Sequence, residues 1–280
     1  AVGASGYVRF RGARLFGASF AGPNTDLADA DFADATLNTA DFSGKVVLRG
    51  ANFTHADLTQ AKLDDAIADG TFPTVFAKAV LVDVSARSAS LQGADFSYAD
   101  FHGPNASLAD AKLARAKFSG GNFAHLHLEE VEAEGSVWDG TNLAGANLKN
   151  AKFGVGSSFV GAYLCGATID GTDFTGSNLA DAYIPTTPTS VPGPGGTTYL
   201  CPPATLTNPK TDGSTICPDG TRGDSVQGCV EAQWVARAPA RQYCCTPPPG
   251  QFCKPRKKSG ETCMTDCDCR SSTCLASKCM

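Results

Sequence analysis

A large apolar residue that returns every five positions is the feature that most constrains this chain. In its longest unbroken run the repeat occupies Leu108, Leu113, Phe118, Phe123, Leu128, Ala133, Trp138, Leu143, Leu148 and Phe153. A period of five fits neither the 3.6-residue period of an α-helix nor the two-residue period of a strand. The chain therefore needs another way to bury these side chains.

The repeated unit is A-(D/N/K)-(L/F)-x-x, and about thirty such units fill residues 8–186. The small residue two positions before the large one is seen at Ala106, Ala111, Ala116, Gly121, Ala146 and Ala151. We expect each unit to form one side of a coil, with the small and the large side chain pointing inward. Four sides then close a square, and successive squares stack at the ~4.8 Å spacing of paired strands.

Four units per coil place residues that are twenty positions apart on top of one another. The expected core ladders are Leu108 with Leu128 and Leu148, Leu113 with Ala133 and Phe153, and Phe118 with Trp138. The small Ala133 leaves volume for a bulky neighbour. We interpret all these residues as core packing, where burying one Leu or Phe is worth ~1.5–3 kcal/mol.

At this level of detail the chain resembles the pentapeptide-repeat family, over about two thirds of its length. The resemblance implies the family fold, an all-β, right-handed quadrilateral β-helix, here of about eight coils followed by a small disulfide-rich tail. The inward positions follow from the pattern itself. Where the register slips, the extra residues should bulge out as loops, the longest between Asp64 and Val75.

Four segments are expected along the chain. Residues 1–186 form the β-helix, 187–200 a Pro/Gly-rich linker, 201–246 a cysteine-rich segment and 247–280 a six-cysteine, knottin-like module. Eleven of the twelve cysteines lie in the tail. The disulfide candidates are Cys165, Cys201, Cys217, Cys229, Cys244, Cys245, Cys253, Cys263, Cys267, Cys269, Cys274 and Cys279.

Cysteine spacing leaves the pairing open. The last six cysteines allow 15 connectivities. Cys165 directly follows an inward residue, so it should point outward, where Cys201, Cys217, Cys229, Cys244 or Cys245 can reach it and clamp the tail to the rod. Zinc is the weaker interpretation, because the tail contains neither a histidine nor a CxxC pair.

Charge and cysteine content restrict which ligands the protein can bind and in which compartment it works. The formal net charge is −5, made up of −8 in residues 1–186 and +3 in residues 187–280, which argues against binding nucleic-acid phosphates. No stretch approaches the ~20 apolar residues of a membrane span. Dense cysteines indicate an oxidising, extracytoplasmic compartment, and we expect an N-terminal targeting segment to have been removed.

The sequence offers no catalytic, cofactor or metal site. No nucleophile motif or P-loop is present. His55 and His102 are expected at outward or loop positions, and His125 and His127, although followed by two glutamates, lack a third ligand fixed by spacing. Two N-x-S/T triplets make Asn52 and Asn105 glycosylation candidates, since both should face solvent.

These observations favour a non-catalytic structural or protein-interaction scaffold rather than an enzyme. Its partners would be other proteins, held by the walls of the rod or by the uncapped N-terminal coil, whose strand edges also allow self-association. The resemblance adds one concrete version, an accessory subunit of a photosynthetic membrane complex in the thylakoid lumen. It leaves two alternatives: a DNA-mimicking, topoisomerase-protecting protein, and a secreted or wall-associated scaffold.

Overall fold

The computed structural model describes residues 8–69, 72–192, 198–223 and 229, together with 274–275 and 278–279. The quintets form coils that are joined by single-residue parallel bridges instead of long strands. The bridges stack in four columns, which begin at Arg9, Arg14, Ser19 and Asp26. No helix long and apolar enough to cross a membrane occurs in the described part of the chain.

The bridging residue of each quintet stands just before the large apolar residue. Its N–H donates to the coil before it, as from Thr36 to the Ala13 carbonyl at 2.9 Å, and the next N–H donates to the coil after it, as from Leu37 to the Asp57 carbonyl at 2.7 Å. The same two bonds recur along the columns, so each coil is a template for the next.

The corners of the square are tight turns with one left-handed residue. Two positions after Phe32, Asp34 has a φ of 60°, and the Ala35 N–H closes the turn on the Phe32 carbonyl at 3.0 Å. A positive φ suits Gly, Asn and Asp best and costs other residues about 1–2 kcal/mol. The fifth position of the repeat therefore has to adopt a positive φ, although the side chains found there vary.

The interior is filled along its whole described length. Leu108, Leu128 and Leu148 are fully buried in one column, and Leu113, Ala133 and Phe153 in the next. The first column carries an aromatic stack whose neighbouring rings lie between 3.7 and 5.9 Å apart, centroid to centroid. The stack consists of Phe10, Phe32, Phe53, Phe76, Phe96, Phe118, Trp138 and Phe159.

Serine or threonine replaces the small inward alanine at several corners, where the hydroxyl group is buried. Each such hydroxyl donates to a backbone carbonyl, as from Thr141 to Trp138 at 2.6 Å. Ser136 also accepts the Trp138 indole N–H at 2.7 Å. These bonds satisfy polar groups that would otherwise be costly to bury.

The β-helix does not end at residue 186, where the fading repeat placed its boundary. After an excursion that contains the antiparallel hairpin of β1 (Thr189–Pro192) and β2 (Thr198–Cys201), the chain returns to the columns. Thr205 bridges Thr168, Lys210 bridges Asp173 and Ile216 bridges Asn178. The expected linker 187–200 therefore carries a hairpin, and part of the expected cysteine-rich segment is one more, partial coil.

The pattern missed this coil because its inward positions are poor in large apolar residues. The residues that follow the three bridges are Leu206, Thr211 and Cys217, and Leu206 is only partly buried. Farther on, β3 (Cys274–Leu275) and β4 (Lys278–Cys279) pair antiparallel. Cys244 and Cys245 of the expected cysteine-rich segment lie outside the described residues, as do Cys253, Cys263, Cys267 and Cys269 of the expected knottin-like module.

Candidate interaction surfaces

The first coil has an unpaired backbone edge. The backbone N–H groups of Arg9, Arg14, Ser19 and Asp26, here called the N-terminal edge, donate to no described residue. One coil further on, the equivalent groups all donate to the first coil, as from Asp41 to the Ala18 carbonyl at 2.9 Å. The N-terminal edge therefore offers the groups that hold every later coil in place.

The apolar interior is also open at this end. Phe10, Leu15 and Phe20 are only partly buried, whereas the matching residues of later coils are sealed. Beside them, Phe16 is 74% exposed and Val8 40% exposed. An apolar centre with unpaired edges is a surface that favours contact with another chain.

The rim of the N-terminal edge is basic. Residues 8–25 contain three arginines and no acidic residue. Arg11 is paired within the protein, 3.0 Å from Asp34 and 3.8 Å from Asp31. Arg9 and Arg14 belong to the bridging positions themselves, so they stand beside the unpaired backbone groups.

The opposite end of the rod is closed by residues 202–223 together with Cys229, here called the cap. Ile216 receives Arg222 in an antiparallel bridge, and the Cys217 N–H donates to the Thr221 carbonyl at 2.7 Å. A disulfide joins Cys217 to Cys229, and both residues belong to the core cluster. The antiparallel return of Arg222 therefore occupies the far side of the Ile216 rung, where a parallel strand of a further coil would otherwise pair.

A second disulfide joins Cys201, the residue just before the cap, to the wall of the rod. Of the five partners that the sequence left open, Cys165 bonds to Cys201, with the two Cα atoms 5.5 Å apart. The pair packs with Tyr183, which stacks on Tyr163 at 5.3 Å. Burial, reinforced by Tyr183, raises the pKa of Tyr163 to about 12, so this side of the clamp stays uncharged.

Two carboxylates pin the cap to the preceding coil. Asp170 accepts the Thr207 N–H at 2.8 Å, and this backbone bond holds the pKa of Asp170 below its usual value. Asp212 accepts from the Ser214 hydroxyl at 2.6 Å, which is the largest cause of its own lowered pKa. It also accepts the Gly176 N–H of the rod at 3.3 Å.

Three of the four histidines lie near a single carboxylate. The His102 Nδ1 lies 2.7 Å from Asp100, a bond that raises the pKa of His102. The His127 Nδ1 lies 2.9 Å from Glu129. His55 is 3.5 Å from Asp34, and His125 occupies a left-handed corner. No group of residues arranged to hold a metal ion occurs in the described ranges.

The two glycosylation candidates differ in their surroundings. The Asn52 amide is used within the wall, since its Oδ1 accepts from Thr54 and its Nδ2 donates to Asp31 at 3.3 Å. Asn105 is exposed at a corner where the register slips. Glycosylation stays a prediction for both, and the geometry is more favourable at Asn105.

The wall carboxylates mostly serve the turns that follow them. Asp31, Asp41, Asp57, Asp95 and Asp173 each accept the N–H of the residue two positions later. Such side chains mimic a backbone turn and stabilise the corner. At Asp41, burial opposes this, but the hydrogen bonds from Ser43 leave the pKa lowered.

The chain is similar to several pentapeptide repeat proteins of known structure. HetL, a pentapeptide repeat protein of the cyanobacterium Nostoc, is 22% identical over 77% of this chain and 92% of its own, with a TM-score of 0.35. Full-length QnrB1, a plasmid-mediated fluoroquinolone resistance protein, is 18% identical over 73% and 89%, with a TM-score of 0.26.

A pentapeptide repeat protein from the Arabidopsis thaliana thylakoid lumen is 25% identical over 53% of this chain and 67% of its own, with a TM-score of 0.12. No curated protein matches the chain. The family model for pentapeptide repeats matches in eight copies, over residues 45–71, 74–103, 122–154 and 156–184. These four segments match the pentapeptide-repeat model, and the coils that they form are a β-helix.

Proposed function

We propose that the protein is a non-catalytic interaction scaffold whose N-terminal edge binds a partner protein. The observation that carries the proposal is the N–H row of Arg9, Arg14, Ser19 and Asp26, which bonds to no described residue and surrounds a partly buried apolar centre. An open strand edge of this kind recruits an extended segment through main-chain hydrogen bonds.

The way the rod uses its side chains supports a scaffold rather than an enzyme. Inward side chains fill the core, and the wall carboxylates are engaged in the turns. A catalytic site needs a cleft with convergent polar groups. The open groove of about 310 Å³ beside Val155 and Phe153 has a paired Lys152 and Glu132 at its side and lies on the outside of a wall.

The charge of the N-terminal edge suggests the chemistry of the partner. Arg9 and Arg14 stand on the bridging positions, and no acidic residue precedes Asp26 in the described coil. We therefore expect the partner segment to be extended and acidic, so that its carboxylates meet these two guanidinium groups.

Topoisomerase protection by DNA mimicry is not favoured by the walls. A DNA mimic needs rows of like negative charge. In the fourth column the charges alternate instead, in the order Lys112, Glu132, Lys152, Asp173 and Lys210.

We also propose that the protein works in an oxidising, extracytoplasmic compartment, either a thylakoid lumen or the outside of a cell. The two disulfides, Cys165 with Cys201 and Cys217 with Cys229, support this placement, because reduced cytosol disfavours such bonds. Thiol labelling of the protein in its native extract tests it: all four cysteines should resist labelling until a reductant is added, and labelling beforehand would overturn the placement.

The interaction is tested by placing a photo-crosslinking amino acid at Phe16, and at the wall residue Lys112 as a control, in the native extract. Crosslinking at Phe16 alone, to a protein whose purified form binds the chain, is the expected result. A Ser19→Pro variant should lose this binding because it removes one edge N–H, and Ser19→Ala should retain it. Equal crosslinking at both sites, or equal binding by both variants, would overturn the proposal.

A further inference from the structure

The two ends of the rod are complementary to each other. Two kinds of hydrogen bond join each coil to the next one. The N–H of each large apolar residue donates to the carbonyl of a bridging residue in the next coil, and the N–H of that bridging residue donates back to the carbonyl of a small inward residue. At the N-terminal edge, these groups of the bridging residues bond to no described residue. The last complete coil therefore presents a surface on which an N-terminal coil fits in the register used throughout the rod.

The cap occupies that surface. Its rungs Thr205, Lys210 and Ile216 stand on Thr168, Asp173 and Asn178. The N-terminal coil has three rungs at nearly the same spacing, Arg9, Arg14 and Ser19. These rungs begin the first, second and third columns, whereas the cap rungs lie in the third, fourth and first. A second copy therefore fits when it is turned by half a turn about the rod axis.

An N-terminal coil would fill the site with more apolar surface than the cap does. The inward residues of the cap are Leu206, Thr211 and Cys217, and those of the N-terminal coil are Phe10, Leu15 and Phe20. Burial of Leu15 in place of Thr211 and of Phe20 in place of Cys217 favours the N-terminal coil. In the same register Arg14 takes the place of Lys210 beside Asp173, so the charge pairing is kept.

We infer that the cap covers a binding site for the N-terminal coil of a second copy of this chain, and that its two disulfides keep this site closed. The cap competes successfully because it is tethered: Cys165 holds Cys201, the residue just before the cap, at the rod, and the Cys217–Cys229 disulfide braces the cap from within. A tethered segment acts at a high effective concentration, which a free second copy does not reach.

Stacking of this kind is heterologous, because one end of each copy binds the other end of the next. Such contacts do not close on themselves in a straight rod, so they produce chains of growing length. The cap thus prevents copies of the protein from stacking end to end, and it leaves the N-terminal edge accessible to other partners. The inference concerns the free chain and does not depend on the partner proposed above.

The test is the full chain with all four of these cysteines changed to serine, Cys165→Ser, Cys201→Ser, Cys217→Ser and Cys229→Ser. Light scattering after size-exclusion chromatography should show a mass that rises with concentration to more than double that of one chain, while the parent chain does not change. Circular dichroism should show that the coils remain folded, and amide exchange at Lys210 and Ile216 should show that the cap has opened.

Ser19→Pro added to the four-serine variant separates coil stacking from general aggregation. It removes an N–H that bonds to no described residue, so it should abolish the growth, and the matched Ser19→Ala should not. The inference is overturned if growth survives Ser19→Pro, if the open chain stays single at every concentration, or if the cap stays protected without its disulfides.

Discussion

Phe118 and Trp138 stack face to face, with ring centroids 3.7 Å apart and planes 6° apart. They are twenty residues apart in the chain and occupy consecutive rungs of one column. Trp138 also meets Phe153 edge-on at 5.8 Å. The small Ala133 lies one quintet before Trp138, so the large indole and the small methyl group share the width of the coil.

Truncating the Trp138 side chain should therefore lower the stability of the protein substantially. Trp138→Ala is expected to lower the free energy of unfolding by about 3–5 kcal/mol, because the removed ring leaves a cavity in a filled core. Trp138→Phe keeps the stack on Phe118 and should cost clearly less. Equilibrium denaturation measures both, and equal losses for the two variants would contradict the stacking account.

The contents of this core were predictable from the sequence because the five-residue period fixes which side chains point inward. Leu108 and Leu128 needed no other information. The return of the chain at Thr205 was not predictable, since only one of the three inward residues of the cap, Leu206, is a large hydrophobic residue. The partner of Cys165 depends on that return. The hydroxyl groups, by contrast, left a signal: Ser136 and Thr141 replace the small alanine of the repeat.

Two glycines should respond differently when a larger side chain replaces them. A Cβ on Gly121 would lie 2.5 Å from the Phe123 ring and 2.8 Å from the Ala99 carbonyl oxygen, so Gly121→Ala should destabilise by about 1–3 kcal/mol through overpacking. Gly140 has a φ of +63° and open space around it. Gly140→Asn should be tolerated there, whereas Gly121→Asn should not. Thermal melts of the three variants decide this.

The disulfides of the cap should contribute unequally to stability. The loops closed by Cys165–Cys201 and Cys217–Cys229 span 36 and 12 residues, for which chain entropy gives about 4 and about 3 kcal/mol. Paired serine substitutions, made one disulfide at a time, should lower the denaturation midpoint in that order. A midpoint that neither substitution changes would show that the cap is not held by these bonds.

Acid should loosen the cap. In the folded chain, the pKa values of Asp170 and Asp212 lie below the usual value of an aspartate, because both carboxylates accept hydrogen bonds from the cap. Their contribution to stability is therefore complete above pH ~4 and is lost as the pH falls through the lower, folded values. The stability difference between the parent chain and Asp212→Asn should be constant near neutrality and shrink in acid. A difference that does not vary with pH would contradict the role of this carboxylate.

The central claim is that one end of the rod is open and the other is closed, and amide hydrogen exchange of the free chain tests it most directly. The N–H groups of Arg14 and Ser19 should exchange rapidly, while those of Thr36 and Asp41, one coil further on, and of Lys210 and Ile216 in the cap should be protected. Protection at Arg14 and Ser19 equal to that at Thr36 and Asp41, or rapid exchange at Lys210 and Ile216, would contradict the account.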